Sequence, residues 1–329
     1  MLSRVAHSCF WLSRYLERAE TSARLLDVNM QLLLDFEEQS PGMVQMHWQP
    51  ILATLEDQDL FAKIHEGITP ETVMDFTTFE RTNPSSIFSC LAKARENART
   101  VREQISSEMW EQINRTFLYL RDGQARVDFS ESPIDFYRSF VDRLHAFQGT
   151  TDATMTHGEG WEFLQAGKYI ERADSTSRVL DMKYHILLPN GEQVGGNVDL
   201  TQWMAVLRSC SGLEAYLKIN AGQVTAWQVA EFLILHDNFP RSIRFCVDQM
   251  DLALHRISDC DGSHFSNEVE RLSGMLRSNL DYMTIAAVFE TGLHQFLDTT
   301  QLRLIEISGA LESAYLQWMD ESDGPSQSQ

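Results

Sequence analysis

The residue types best suited to chemistry occur in a motif that appears twice, at residues 15–24 and 169–178. Both copies read Tyr-x-Glu-Arg-Ala, then an acidic residue, then Arg four positions later. The charged positions are Glu17, Arg18, Glu20, Arg24, Glu171, Arg172, Asp174 and Arg178. Arginine binds carboxylates and phosphates through paired N–H donors, and glutamate can act as an acid/base or as a metal ligand. The motif therefore predicts a polar site that holds a carboxylate or a phosphate.

The same residues could instead form a lattice of ion pairs between helices. Removing one partner of a buried pair strands the other at a cost of about 3–5 kcal/mol, so such pairs resist single changes. Within each copy, Glu20–Arg24 and Asp174–Arg178 lie one helical turn apart, which predicts helix-surface bridges worth about 0.2–0.5 kcal/mol. Both interpretations, the salt-bridge lattice and the functional site, remain open from the sequence.

A second group of charges lies at Arg95, Glu96, Arg99 and Arg102. The three arginines fall at i, i+4 and i+7, so they share one face of a helix and could bind a phosphate or an acidic peptide. They could equally pair with the acids of the first helix. The matching segment of the second half begins at Arg241 and has no such triple. This asymmetry is what a single working site in a duplicated protein would produce.

The segment 149–161 mixes glycine, hydroxyl residues, Asp152, His157, Glu159 and, just beyond it, Glu162. We predict a loop here that joins two halves of the chain, either as a hinge capped by its own side chains or as a small polar site. The spacing of these residues matches no established metal-ligand pattern, so no metal is expected.

Familiar catalytic patterns are missing from the sequence. It contains no phosphate-binding loop, no Rossmann glycines, no His-Glu-x-x-His and no G-x-S-x-G. The Glu-x-x-His arrangement of di-iron bundles is also missing. We therefore predict no cofactor. Two Leu-His-x-Phe segments and the tryptophans at helical spacing are expected in the core: His145, His294, Trp11, Trp48, Trp203 and Trp227.

The elements that must position these residues are helices. Apolar residues recur in steps of four and three from Leu12 to Met30, which predicts one long helix over 2–36. The same periodicity predicts helices at 86–115, 135–148, 160–188, 200–219, 224–235, 241–257, 266–288 and 291–317. Pro and Gly predict loops over 37–47 and 189–197, and Pro84 and Pro240 are expected at helix starts. The polar tail 320–329 is expected to fray, and no strand is predicted.

The chain also aligns with itself. A shift of 154 residues matches 10–34 with 164–188, and a shift of 156 matches Pro84, Ser86, Ile87 and Cys90 with Pro240, Ser242, Ile243 and Cys246. Matches in one order along both halves indicate tandem duplication. We predict an all-α bundle of two similar units, 1–155 and 156–319, packed as one body around a pseudo-twofold axis. The two Glu-Arg pairs are expected near that axis.

Composition narrows the function classes. Of 329 residues, 47 are acidic and 27 are Lys or Arg, so the net charge is −20. Such a chain repels nucleic acid and anionic membranes, and we predict neither as a partner. No apolar run reaches the length of a membrane span. Five scattered cysteines without a C-x-x-C pair indicate small core residues in a reducing compartment, which predicts the cytoplasm.

Several motifs together closely resemble the bacterial alpha-E family, an all-helical group of unknown function named for its Glu-Arg motifs. They include the opening Met-Leu-Ser-Arg-Val-Ala, the Glu-Arg copies, residues 83–87, residues 94–99 and the 154–161 joint. The resemblance covers roughly residues 1–315. It carries the family's motifs onto Glu17-Arg18 and Glu171-Arg172, and onto Arg95-Glu96 in reversed order.

The resemblance implies a setting for this chain. Proteins of that family are typically encoded beside, or fused to, ATP-grasp proteins, in systems proposed for peptide synthesis or modification by amide ligation. The first hypothesis is therefore a non-catalytic helical partner of an ATP-grasp ligase that presents or receives a peptide. The second is an enzyme with a Glu/Arg/His site between the two units, acting on an acyl phosphate or a peptide, with His157 beside the Glu-Arg pairs.

Overall fold

The computed structural model describes residues 1–37, 44–55, 58–187, 197–220, 222–259 and 264–316, without the side chains of 34–37, 44–47, 184–187 and 197–199. Within these ranges all regular structure is helical, as predicted. The helices of the first half are α1 (Ser3–Glu37), α2 (Val44–Thr54), α3 (Gln58–Ile64), α4 (Pro70–Thr78), α5 (Ile87–Thr100), α6 (Ser107–Arg121), α7 (Gln124–Glu131) and α8 (Pro133–Thr154). Those that follow are α9 (Glu159–Leu187), α10 (Asn197–Ser209), α11 (Leu213–Ile219), α12 (Ala226–Leu235), α13 (Ile243–Ile257), α14 (Glu268–Asp281), α15 (Ile285–Thr291) and α16 (Leu293–Leu311), which ends in a π-type turn at Glu312–Leu316.

Two long helices, α1 and α9, lie side by side at the centre of the fold. Phe10 of α1 packs against Gly167 of α9, and further towards the C-terminus of both helices Glu17 binds Arg172. The two helices are therefore parallel. Helices α5 and α8 pack on α1, and α6 packs on both of them. Helices α13 and α16 pack on α9, and α14 packs on both of those. One continuous core therefore surrounds the α1–α9 contact.

Small residues explain how closely the central helices approach. Ala19, Ala23, Ala166 and Ala173 are all fully buried. At Gly167, an added Cβ would lie 2.2 Å from the carbonyl oxygen of Phe10, so no larger residue fits there without moving the helices apart. This close approach allows charged side chains on either side of the contact to reach across it.

Serine and threonine N-caps set the starts of the packed helices. Ser86 accepts a hydrogen bond from the Ser89 N–H at 3.1 Å at the start of α5, and Ser242 accepts one from the Phe245 N–H at 3.2 Å at the start of α13. The expected position of the prolines was wrong by one turn. Pro84 lies in the turn before the N-cap Ser86, and Pro240 lies in the turn before the N-cap Ser242. Neither proline occupies the first helical position.

Three predicted helices are each two helices in the structure. The 86–115 segment breaks before the N-cap Ser106, and the 266–288 segment breaks before the N-cap Thr284. The 200–219 segment breaks at Ser211, whose φ of +54° is left-handed. At the first two breaks a polar residue inside a periodic apolar pattern caps a new helix, and periodicity alone does not detect such a cap.

Other predictions need correction in detail. Residues 149–154 belong to α8, so the joint between α8 and α9 is only 155–158 and not the longer predicted loop. Helix α2 begins at Val44, inside a predicted loop, and α3, α4 and α7 were missed because they are short. The rest of the loops at 37–47 and 189–197, and the tail at 320–329, fall largely or wholly outside the described residues.

Most of the predicted core residues are buried. Trp48, Trp203 and four cysteines lie inside, and the fifth, Cys260, is outside the described residues. Trp11 is half-buried. The prediction for Trp227 was wrong: its side chain is exposed and stacks on Phe289 with ring centres 4.9 Å apart.

Candidate functional site

The two Glu-Arg motifs meet where α1 contacts α9. Arg18 donates to both oxygens of Glu171, with Nε–Oε1 at 2.6 Å and Nη2–Oε2 at 3.1 Å. Arg172 donates to both oxygens of Glu17, with Nε–Oε2 at 3.1 Å. Each arginine thus binds the glutamate of the other motif, and both glutamates are buried. The bidentate geometry is the strongest that a carboxylate and a guanidinium can form.

On one side of this contact, a dense polar network surrounds Glu17 and Glu20. Arg241, from the turn before α13, donates to both carboxylates. Gln148 of α8 also donates to both, at 2.7 Å to Glu17 and 3.2 Å to Glu20. Arg24 donates to Glu20 at 2.7 Å. We call this group, with Arg172, the closed cluster.

The expected bridge between Glu20 and Arg24 forms, but its position at the surface was wrong, because Glu20 is fully buried. Burial alone would raise the pKa of this carboxyl, but Arg241, the His145 side chain and Arg24 hold that pKa well below its usual range. An acid that stays ionised in this way is a poor proton donor near neutral pH. The closed cluster therefore acts as a set of fixed charges.

The two histidines expected in the core are instead about half-exposed. His145 Nε2 lies 3.1 Å from Glu20 and its side chain is 49% exposed. His294 Nδ1 lies 2.7 Å from Asp181 and its side chain is 43% exposed. The core assignment was therefore wrong, because each imidazole reaches from the bundle surface to a carboxylate on a central helix.

The opposite side of the contact has a different shape. Glu171 is bound by Arg18 and also by Arg14, whose Nε lies 2.8 Å from it. Burial would raise the pKa of Glu171, but Arg14 and Arg18 lower it to about 2. Arg178 donates to Asp174 at 2.8 Å. A cleft of about 380 Å³ opens over these residues, and we call it the open cleft.

Two polar atoms at the open cleft have no hydrogen-bond partner in the protein. They are Oδ1 of Asp174 and Oγ of Ser22, and neither atom is accessible to solvent. Burial raises the pKa of Asp174 despite the nearby Arg178. Buried polar atoms normally find a partner. The closed cluster has one such atom as well, but it is a donor, Nε of Arg24, whereas the two at the open cleft are oxygens.

The structure does not bring the arginines of α5 to the Glu-Arg contact. Arg95 donates to Asn114 at 2.7 Å and lies over the rings of Trp110 and Phe117. Arg99 pairs with Glu96 on the exposed side of the same helix. Arg95 and Arg99 therefore bind partners other than the acids of the first helix with which they were expected to pair. Packing of the guanidinium on aromatic faces of α6 explains the position of Arg95.

His157 also lies away from the Glu-Arg pairs. It is exposed and stacks on Trp161, with ring centres 3.8 Å apart. From there to Arg172 the chain follows α9 for about 20 Å, at 1.5 Å per residue. Among the described residues, no group of His, Cys, Asp and Glu has the arrangement needed for a metal ion. A site that combines His157 with the Glu-Arg pairs is therefore not formed in this structure.

Some residues of the contact escaped the sequence analysis. Arg14 lies one turn before Arg18, so helical spacing alone could have identified it. Gln148 lies three residues after His145 on α8. Its amide side chain is uncharged, so a search for charged residues does not find it. Ser22 and Asp174 could be singled out only after their surroundings were known.

The comparisons with known proteins agree with this architecture. The Alpha-E family, described as a predicted alpha-helical domain with a conserved ER motif, matches residues 1–316. The chain belongs to the Alpha-E family. Both Glu-Arg sequences of this Alpha-E chain lie in the α1–α9 contact.

Curated relatives of this Alpha-E chain come from mycobacteria. An uncharacterised protein of Mycobacterium bovis is 23% identical over 298 residues, which is 84% of this chain and 32% of that protein. An uncharacterised protein of Mycobacterium tuberculosis is 22% identical over the same length and share. The chain thus spans about a third of the relatives it matches. No solved structure matches it, and no helix of the described residues has the length and apolarity to cross a bilayer.

Proposed function

We propose that this Alpha-E chain is a non-catalytic helical partner of an ATP-grasp amide ligase, and that it presents or receives the ligase's peptide. The partner class comes from the family resemblance. One observation supports a non-catalytic role: the central glutamates are already fully hydrogen-bonded within the protein. Glu17, Glu20 and Glu171 each accept hydrogen bonds from two arginines. Carboxylates held in this way position helices and do not exchange protons with a substrate.

The length of the relatives supports a partnered role. About two thirds of each mycobacterial relative lies outside the region that this chain matches. An Alpha-E region therefore occurs in them next to a long additional stretch of chain. We further propose that the protein works in the cytoplasm, which is supported by the four described cysteines being free thiols in the core.

We also propose that the fold consists of two repeat units, 1–155 and 156–319, related by a pseudo-twofold axis between α1 and α9. The reciprocal pairs Arg18–Glu171 and Arg172–Glu17 support this proposal, because a twofold operation would exchange one pair for the other. The packing of α5 on α1 and of α13 on α9 supports it too, since both helices follow matching Asn/Phe-Pro-x-Ser segments.

Co-purification of this chain with an ATP-grasp ligase of the same organism tests the partner role. We expect a complex on size exclusion and a change in the ligase's peptide-dependent ATP turnover when the chain is added. Ligase that migrates alone and turns over ATP at an unchanged rate would contradict the proposal.

The second candidate is an enzyme acting on an acyl phosphate or a peptide, and the open cleft favours it because Arg18 and Glu171 are among the residues that line this cleft. Variants Glu171→Gln and Arg172→Gln separate the two functions. If the Glu-Arg pairs are structural, both variants lower the melting temperature and reduce ligase stimulation only in proportion to unfolding. Lost turnover in a variant of unchanged melting temperature would favour the enzyme.

A further inference from the structure

The open cleft and the closed cluster contain matching positions that differ in one residue. The alignment that pairs Pro84 with Pro240 pairs Ser85 with Arg241. Arg241 donates to Glu17 and Glu20 in the closed cluster. Ser85 lines the open cleft, where the corresponding acids are Glu171 and Asp174. The first half of the chain therefore carries a small neutral side chain where the second half supplies a guanidinium.

The acceptors that a guanidinium would use are present in the open cleft. Glu20 accepts from Arg241, whereas the matching residue Asp174 has an Oδ1 without a partner. Ser22 is 1% exposed, lines the cleft, and its Oγ has no partner either. The matching hydroxyl, that of Thr176, donates at 2.8 Å to the carbonyl of Arg241. Two residues that line the cleft thus each hold a buried oxygen without a partner, at positions where the other side of the contact holds a cationic residue.

The arginines of the cleft are already engaged by its carboxylates. Arg14 and Arg18 are both bonded to Glu171, and Arg178 is bonded to the other oxygen of Asp174. An anion would have to compete with these buried carboxylates for their arginines. With Glu312, the lining holds as many carboxylates as arginines, so none of its arginines is left over for an anion.

We propose that the open cleft binds an organic cation, a guanidinium or primary ammonium group, with Asp174 Oδ1 and Ser22 Oγ as its acceptors. The ligand supplies from outside the group that Arg241 supplies within the closed cluster. This inference deepens the proposed function and rests on it for the source of the cation, which would be a basic residue of the ligase's peptide. A free amine of similar chemistry would use the same acceptors.

Calorimetric titration of the isolated chain tests this binding without any ligase. The probes are arginine amide, lysine amide, an acetylated tripeptide with a central arginine, and citrulline amide as the uncharged match to arginine. We expect a single binding site for at least one cationic probe and at least tenfold weaker binding of citrulline amide. Tighter binding of the tripeptide than of the amides would identify a peptide source, and the reverse order would identify a free amine.

Two variants locate the site. Ser85→Arg places the missing guanidinium within the chain. We expect this variant to fold and to bind the cationic probes at least tenfold more weakly than the wild type, whereas Ser85→Ala should bind them as the wild type does. Asp174→Asn removes the acceptor charge and is expected to weaken binding at least tenfold, with the exposed Asp122→Asn as its control. If Asp174→Asn does not fold, Ser85→Arg still decides the question.

The proposal is overturned if no cationic probe binds, if citrulline amide binds as tightly as arginine amide, or if Ser85→Arg binds like the wild type. Competition by inorganic phosphate would also overturn it, because it would identify an anion site. These outcomes are independent of the ligase complex, so failure here leaves the partner role standing, and failure of the complex leaves the cation site standing.

Discussion

The guanidinium of Arg172 in α9 binds the carboxylate of Glu17 in α1, with Nε 3.1 Å from Oε2, and both side chains are buried. The two residues are 155 positions apart in sequence. Each belongs to a different Glu-Arg motif, so the motif works across the helix contact and not within one helix. This relationship makes the stability of the central contact depend on single charged residues.

Replacing Glu17 by Gln should destabilise the fold by about 3–5 kcal/mol, because Arg172 and Arg241 lose a buried counter-ion. Urea unfolding followed by circular dichroism measures the change in unfolding free energy. The double variant Glu17→Gln/Arg172→Met should recover part of that loss, since the buried charge of Arg172 is no longer left without a counter-ion. The control Asp122→Asn breaks an exposed pair and should change stability by less than about 1 kcal/mol. A Glu17→Gln variant as stable as this control would contradict a structural role for the pair.

Gly167 should not tolerate alanine. The added Cβ would lie 2.2 Å from Phe10 O and 2.5 Å from Ser13 Oγ, so α1 and α9 must separate. We expect a net loss of about 1–3 kcal/mol, as for other overpacked positions. Gly149→Ala in α8 is the matched control, because its Cβ meets nothing within 4 Å. That control should gain about 0.5–1 kcal/mol from helix propensity. Equal stabilities for the two variants would show that the helices do not approach this closely.

Arg241→Ala should be rescued by small guanidinium ions. The variant removes a cation from between Glu17 and Glu20 and leaves space for methylguanidinium, which stabilises the folded state by mass action. We expect a melting temperature well below that of the wild type, raised by methylguanidinium and not by neutral methylurea. Arg121→Ala, at an exposed position, controls for general salt effects. Identical responses of the two variants to methylguanidinium would argue against a specific cation position.

Stability should fall in acid through the buried glutamates. The pKa of Glu171 is lowered from 4.5 to about 2 in the fold, so its contribution is present above pH 4.5 and is lost as pH falls towards 2. Between about pH 6 and about pH 2.5 this amounts to about 2–3 kcal/mol at 1.36 kcal/mol per pKa unit. Urea titrations across this range should therefore show a steeper decline for the wild type than for Glu171→Gln. The exposed Glu111→Gln should decline like the wild type. A Glu171→Gln slope equal to that of the wild type would mean that Glu171 is not held ionised by its arginines.

The sequence predicted the helical class and the two central helices closely, because a long amphipathic pattern with few alternatives specifies a helix by itself. Its failures share a cause. Trp227 and His294 carry the spacing of core residues, but whether a partner covers a given face depends on helices that are distant in the chain. The breaks at Ser106 and Thr284 depend on hydroxyl caps that compete with a continuing apolar pattern.

The residue types and spacing of the Glu-Arg motifs were sufficient to mark them as a polar site or a salt-bridge lattice. Only the tertiary structure decided that Arg18 binds Glu171 and Arg172 binds Glu17, because these bonds depend on how α1 and α9 are rotated against each other at Gly167. Local spacing made Glu20 look like half of a surface bridge. In the fold Glu20 is buried and bound by Arg241, which lies 221 residues away in the sequence, and a local pattern contains no information about such a distant partner.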